Sequence, residues 1–402
     1  MSRSGAAVFE ASAGAAATAV SGPSVPSGAS AASAASGASV SGPRATARAR
    51  PIEGDRAPRA RIVLGCLALA LVATALAALM TGATGLANPE AIRLMLAGER
   101  PQGDLLLMRD VIVLADIRLP RVIMAGLIGA SLAVSGAVMQ GLFRNPLADP
   151  GIVGVSSGAG LGAAAMIVLG GGLLAPVTAL FGGHAVSFAA FLGGLATTAL
   201  LYRIGTRGGS THIATMLLAG IALGALAGAA LGLLVFVADD RALRDLSFWG
   251  LGSVAGATWD KILTAGPVIA LVLLLSPLLA RALNALVLGE AAAGHLGVNV
   301  QRQKRLAIVA VAAATGASVA VSGGIGFVGI VVPHLLRLTI GPDHRYLLPG
   351  SALLGAILLI AADTVARTLV APAELPIGIL TALAGAPFFL WILLTRRGFS
   401  LG

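Results

Sequence analysis

Ten apolar stretches, most of them roughly the twenty residues that a membrane-spanning helix needs, follow one another between residues 62 and 395. They fall near 62–81, 119–140, 152–172, 186–203, 213–237, 260–281, 306–321, 326–338, 347–369 and 377–395. Charged residues make up 11% of the chain, against about 25% in soluble domains. A chain of 402 residues so poor in charge cannot cover a water-facing surface, so it takes lipid as its solvent. In lipid every backbone polar group must be satisfied inside the protein. The expected fold is therefore all-α and polytopic, with about ten transmembrane helices per subunit. The run near 326–338 is short and glycine-rich. It reads as a broken helix, tolerable only where it is buried in protein or lines a cavity.

Residues 1–60 have a different character. Up to about residue 43 they are almost wholly Ala, Ser, Gly, Val, Thr and Pro, too little apolar surface to offset chain entropy. The reading is a disordered tail, not a signal peptide, because the charged patch and the apolar run come after it. Arg44, Arg48, Arg50, Arg56, Arg59 and Arg61 then directly precede the first span. By the positive-inside rule this end stays in the cytoplasm, and ten crossings return the C-terminus there, where Arg396 and Arg397 lie. Arg203, Arg207, Arg281, Arg302, Lys304 and Arg305 fall at turns that this topology makes cytoplasmic. The permease domain is expected over 61–398. The first external loop breaks the rule, with Arg93, Arg100, Arg109, Arg118 and Arg121.

The net charge of +10 does not point to nucleic acid. The arginines sit at the ends of apolar runs, with no basic stripe or aromatic platform. The single cysteine, Cys66, permits no disulfide within the chain. The only lysines are Lys261 and Lys304, and neither follows a glycine, so no nucleotide-binding Gly-x-x-x-x-Gly-Lys-Ser/Thr loop is present. ATP, if it drives transport, is hydrolysed by another chain. His184, His212, His295, His334 and His344 are not at metal-ligand spacing, and no nucleophile elbow or zinc helix occurs. No catalytic residue, metal site or cofactor is expected. Gly220, Gly224, Gly228 and Gly232 recur every fourth residue of the fifth span, which lines them along one face where another backbone can approach.

Several motifs stand out from the Ala/Leu/Gly background. Arg118-Leu119-Pro120-Arg121 opens the second span, and Gln140-Gly141-Leu142-Phe143-Arg144-Asn145-Pro146-Leu147-Ala148-Asp149-Pro150 closes it in two turn-forming dipeptides. Leu288-Gly289-Glu290 and Leu296-Gly297-Val298 lie in a loop. Gly324-Ile325-Gly326-Phe327-Val328-Gly329 precedes Pro333-His334, Arg337 and Gly341-Pro342-Asp343-His344-Arg345. Ala362-Asp363, Arg367, Glu374-Leu375-Pro376-Ile377-Gly378 and Gly385-Ala386-Pro387-Phe388-Phe389 end the series. In this order and spacing, from about residue 62 to 397, they resemble the FecCD family, the permease subunits of ABC importers for ferric siderophores, haem and cobalamin.

The resemblance implies a multi-pass inner-membrane subunit, working as a homodimer or as a heterodimer with a similar permease. Its partners would be ABC ATPase subunits and a periplasmic or lipid-anchored substrate-binding protein. Arg118, Arg121 and Arg367 match the arginines that meet glutamates of that binding protein. The loop 282–304 matches the segment that couples to the ATPase, through Leu288, Gly289, Glu290, Leu296 and Gly297. The fifth and tenth spans would line the pathway, making the Gly220–Gly232 face a pore wall or dimer contact. Asp363 and Arg367, four residues apart, share a helix face, and their pairing would compete with docking. The expected cargo is a ferric siderophore, with haem or cobalamin as the alternative. A secondary transporter is the competing reading. It would place an ionisable residue in mid-membrane, where only Asp363 comes near.

Overall fold

The computed structural model describes residues 56–395 apart from 83, 84, 86, 100, 102, 209 and 372. Most of the expected tail, Arg100, Arg396 and Arg397 lie outside the described residues.

The first helix, α1, runs Ala57–Met80. Two short helices follow, α2 (Pro89–Ala97) and α3 (Leu105–Ile112). A π-helical turn, Val113–Arg118, leads without a break into α4 (Leu119–Phe143). Next come α5 (Val155–Leu169), α6 (Ala175–Phe181) and α7 (Ala185–Gly205). A two-stranded hairpin, β1 (Thr206–Arg207) with β2 (Ser210–Thr211), joins α7 to α8 (Ile213–Val237). The rest is helical: α9 (Asp240–Leu251), α10 (Trp259–Leu275), α11 (Ala280–Val287), α12 (Glu290–His295), α13 (Val300–Ser322), α14 (Val328–Ile340), α15 (His344–Leu369) and α16 (Ile377–Thr395). Among the described residues seven helices are long and apolar enough to cross a membrane. The shorter apolar helices α5, α14 and α16 supply the other three of the ten expected runs.

Local sequence sets the breaks. α4 stops where Arg144 takes a left-handed conformation (φ 50°) before Asn145-Pro146. The Asn145 carboxamide then accepts the Leu147 N–H, and Asp149 caps the 3-10 turn Pro150–Val153. α14 has 13 residues, about 20 Å at 1.5 Å per residue, too short for a bilayer core of about 30 Å. The chain before it is unwound through Gly323–Gly326, and Phe327 sits at φ 67°. Within it Gly323 and Ile325 are buried while Gly324 and Gly326 are exposed, so this chain covers the break only in part. The Ser253 N–H donates to Ser322 O at 2.7 Å, and the Gly378 N–H donates to Gly252 O at 3.2 Å.

The bundle is assembled around α4, almost every residue of which is buried. It crosses α15 at Gly129 and Gly355, and α14 at Gly136 and Gly329. At both crossings backbone meets backbone, and a Cβ on Gly129 or Gly136 would strike the facing carbonyl. By contrast, few residues of α1 and α8 are fully buried, and each packs on the bundle along one side only, α1 through Val63, Leu67 and Leu71 and α8 through Ala219 and Leu223.

Gly136→Val should destabilise the permease by about 1–3 kcal/mol or more through overpacking. Thermal unfolding in detergent checks this. Gly228→Val, with no atom of this chain within 4 Å of its added Cβ, should leave the Tm of the single subunit unchanged.

Candidate functional site

We call the end of the bundle where α1 begins proximal and the opposite end distal. The expected functional residues fall into three regions: one distal, one proximal and one along α8.

The distal region is a knot of arginines. Arg118 leaves the π-helical turn and reaches the C-terminal end of α1, where its guanidinium donates to Leu79 O (2.8 Å) and Gly85 O (3.0 Å). It thereby satisfies carbonyls that a helix end leaves without intrahelical partners. Arg121, one turn on, donates through Nε to both oxygens of Asp363 (2.9 and 3.0 Å) and through Nη1 to Glu374 (2.8 Å). Arg367 donates to Ala78 O, and its Nε lies 3.9 Å from Asp363. The fold thus brings all three expected arginines together. It also corrects their expected presentation: each side chain is buried, 4% exposed, and engaged inside the chain. Asp363 pairs first with Arg121, 242 residues away, and only weakly with Arg367, four residues away. Glu374, 44% exposed, is the knot's acidic contact with solvent. Nearby, Arg93 on α2 bonds Glu90 and holds that carboxyl below its usual range.

The proximal region is the segment from Leu288 to Gly297. Asn284 of α11 donates to Asp343 at 2.6 Å, which places this segment beside the α14–α15 turn. Gly289 (φ 104°) and Gly297 (φ 81°) reverse the chain on either side of α12, conformations that L side chains rarely adopt. Ala293 is fully buried and pins the helix to the bundle, while Leu288 (67%) and Leu296 (64%) stand out into solvent. Glu290 turns back instead, and its carboxylate accepts from Lys304 at 2.7 Å. Lys304 was legible in the sequence only as a loop charge. It is 1% exposed, and the one available signal was its being one of only two lysines in a chain that otherwise uses arginine.

The third region is α8. Gly224, Gly228 and Gly232 have no atom of this chain near the position of a Cβ. The packing that their spacing predicts is therefore not made within the subunit. Among the described residues, no three His, Cys, Asp or Glu side chains converge as a metal site would require.

Nine apolar helices around a tenth that is buried, with an uncovered glycine face and a short element projecting at one end, describe a polytopic membrane protein built like a permease. The FecCD transport family model matches residues 69–395. The chain is 52% identical over 282 residues to the hemin transport system permease protein HmuU of Yersinia pestis, covering 70% of this chain and 83% of that one. It is 47% identical over 286 residues to the cobalamin import system permease protein BtuC of Halobacterium salinarum, covering 71% and 74%. A solved inward-facing structure assigned to the metal-chelate type of ABC transporter superposes with a TM-score of 0.71 at 35% identity, over 83% of this chain and 99% of that one. The chain belongs to the FecCD transport family. It is an inner-membrane permease of an ABC importer, a class built from a permease dimer, separate ATPase subunits and a substrate-binding protein.

Arg121→Met should cost about 3–5 kcal/mol, because it strands a buried carboxylate. Arg121→Met with Asp363→Leu should be more stable than Arg121→Met alone. Equal unfolding temperatures for the two variants would show that the pair contributes nothing.

Proposed function

We propose that this permease carries a metal chelate into the cytoplasm, with haem as the first candidate cargo. The observation that carries the haem reading is the 52% identity to a hemin permease. The ferric siderophore expected from the sequence stays as the second reading, favoured by the likeness to a transporter of metal-chelate type. Both chain termini lie on the cytoplasmic side, so the proximal end faces the ATPases and the distal end faces the binding protein. The six arginines ahead of the first span support this orientation.

At the proximal end, Leu288 and Leu296 enter a groove on the ATPase, with Gly289, Glu290 and Gly297 shaping the segment that carries them. Their exposure supports this role, since apolar side chains at a water-facing end mark an interaction site. At the distal end, Arg118, Arg121 and Arg367 take the binding protein. Arg121 bridges Asp363 and Glu374, and Arg367 lies beside Asp363, so this end already brings arginines to carboxylates. A partner carboxylate replaces the half-exposed Glu374 on Arg121. Such pairs set orientation and partner choice more than affinity. Along the axis, the glycine face of α8 meets the second permease subunit or the cargo, and ATP-driven closure of the ATPases opens that axis alternately to each side.

Uptake of hemin, cobalamin and a panel of ferric siderophores, in cells with and without the gene, tests the cargo. Loss of hemin uptake alone, restored by the gene, is expected. Loss of one siderophore with hemin intact would move the assignment to the second reading. For docking, Glu374→Gln should tighten binding-protein affinity by about two- to fivefold, the range of an exposed ion pair. Unchanged affinity would remove the arginine knot from the docking surface.

A further inference from the structure

The segment Leu288–Gly297 joins two helices, α11 and α13, and neither carries the open glycine face. How its motion would reach α8 is a physical question, and Lys304 supplies a path.

Lys304 lies in the second turn of α13, among the largest fully buried side chains of the chain. Its ammonium has two partners on different elements. One is the Glu290 carboxylate at 2.7 Å, on the first residue of α12. The other is the Thr211 carbonyl at 3.0 Å, on the last residue of strand β2. One turn earlier on α13, the Gln301 carboxamide oxygen accepts the Thr211 N–H at 3.1 Å. Gln301 and Lys304, three residues apart on one helix face, therefore hold both backbone polar groups of a single residue. Thr211 is 5% exposed, and only His212 separates it from the first residue of α8. The His212 N–H bonds Gly205 O at 2.9 Å, and the Thr206 and Thr211 hydroxyls lie 3.1 Å apart. These contacts close the hairpin against the end of α7, so Thr211 cannot shift without α8.

We propose that Lys304 is a positioning residue that transmits movement of α12 to α8, through Glu290 on one side and the Thr211 carbonyl on the other. A lysine suits this task because its three donors sit on one compact charge, able to serve a carboxylate and a carbonyl in different directions. Burial strengthens both bonds, since a buried ammonium without partners is strongly disfavoured. The two ends therefore move together or the charge is left unpaired. The inference rests on α12 being the ATPase-coupling element.

The test uses the full chain assembled with its ATPase, in a Cys66→Ser background. Spin labels at Leu218→Cys on α8 and Leu338→Cys on α14 report the proximal position of α8, both sites being exposed. In the parent complex the distance should change between the nucleotide-free and ATP–vanadate states. Lys304→Met, close in size and without the charge, should lose this change while the complex still assembles and hydrolyses ATP. Lys304→Arg should restore it in part. Should Lys304→Met fail to assemble, Gln301→Leu removes the other half of the grip and should reduce the change. A distance change retained in Lys304→Met, or undiminished in Gln301→Leu, overturns the link while leaving the coupling role of α12 intact. No ATP-driven change in the parent complex overturns both.

Discussion

The structure depends on the close approach of backbones along α4. Lipid tails are as apolar as the side chains of this bundle, so burying leucine against leucine gains little between helices. Association comes from packing and from polar contacts. Gly129 against Gly355 and Gly136 against Gly329 let α15 and α14 lie directly on α4. The short α14 is held on α4 at Gly329, and the unwound segment before it is covered at Gly323 and Ile325.

Charge is placed with equal economy. Buried charges stand at helix ends and reach groups on other elements. Arg118 takes the open carbonyls at the end of α1, Arg121 joins α4 to α15 and to Glu374, and Lys304 joins α13 to α12 and to the hairpin before α8. Each group ties together elements far apart in sequence, at the two ends of the bundle where an importer meets its partners.

The ten helices were legible as apolar runs written in consecutive residues, seven of them long enough to cross lipid and α5, α14 and α16 shorter. The family was legible because its motifs occur in order. Side-chain direction was not. Asp363 and Arg367, one helical turn apart, read as a pair, yet the carboxylate lies closer to Arg121. Arg118, Arg121 and Arg367 read as outward charges at the mouth of the bundle, and the fold turns each of them inward onto carbonyls and carboxylates. Spacing along one helix says which residues share a face but not what that face meets. For Gly224, Gly228 and Gly232 of α8 it meets no other element of the subunit.

By itself, the sequence determined that this chain lives in a membrane, crosses it in about ten helices, and belongs with permeases that leave ATP hydrolysis to a partner. Hydropathy and motif order are properties of neighbouring residues, and they survive without knowledge of the fold. Which ions pair, which loop residues are exposed, and the grip of one lysine on both α12 and the residue leading into α8 emerge from the folded chain. Those contacts join positions as much as 253 residues apart. Their geometry is set by how helices pack, not by any local pattern.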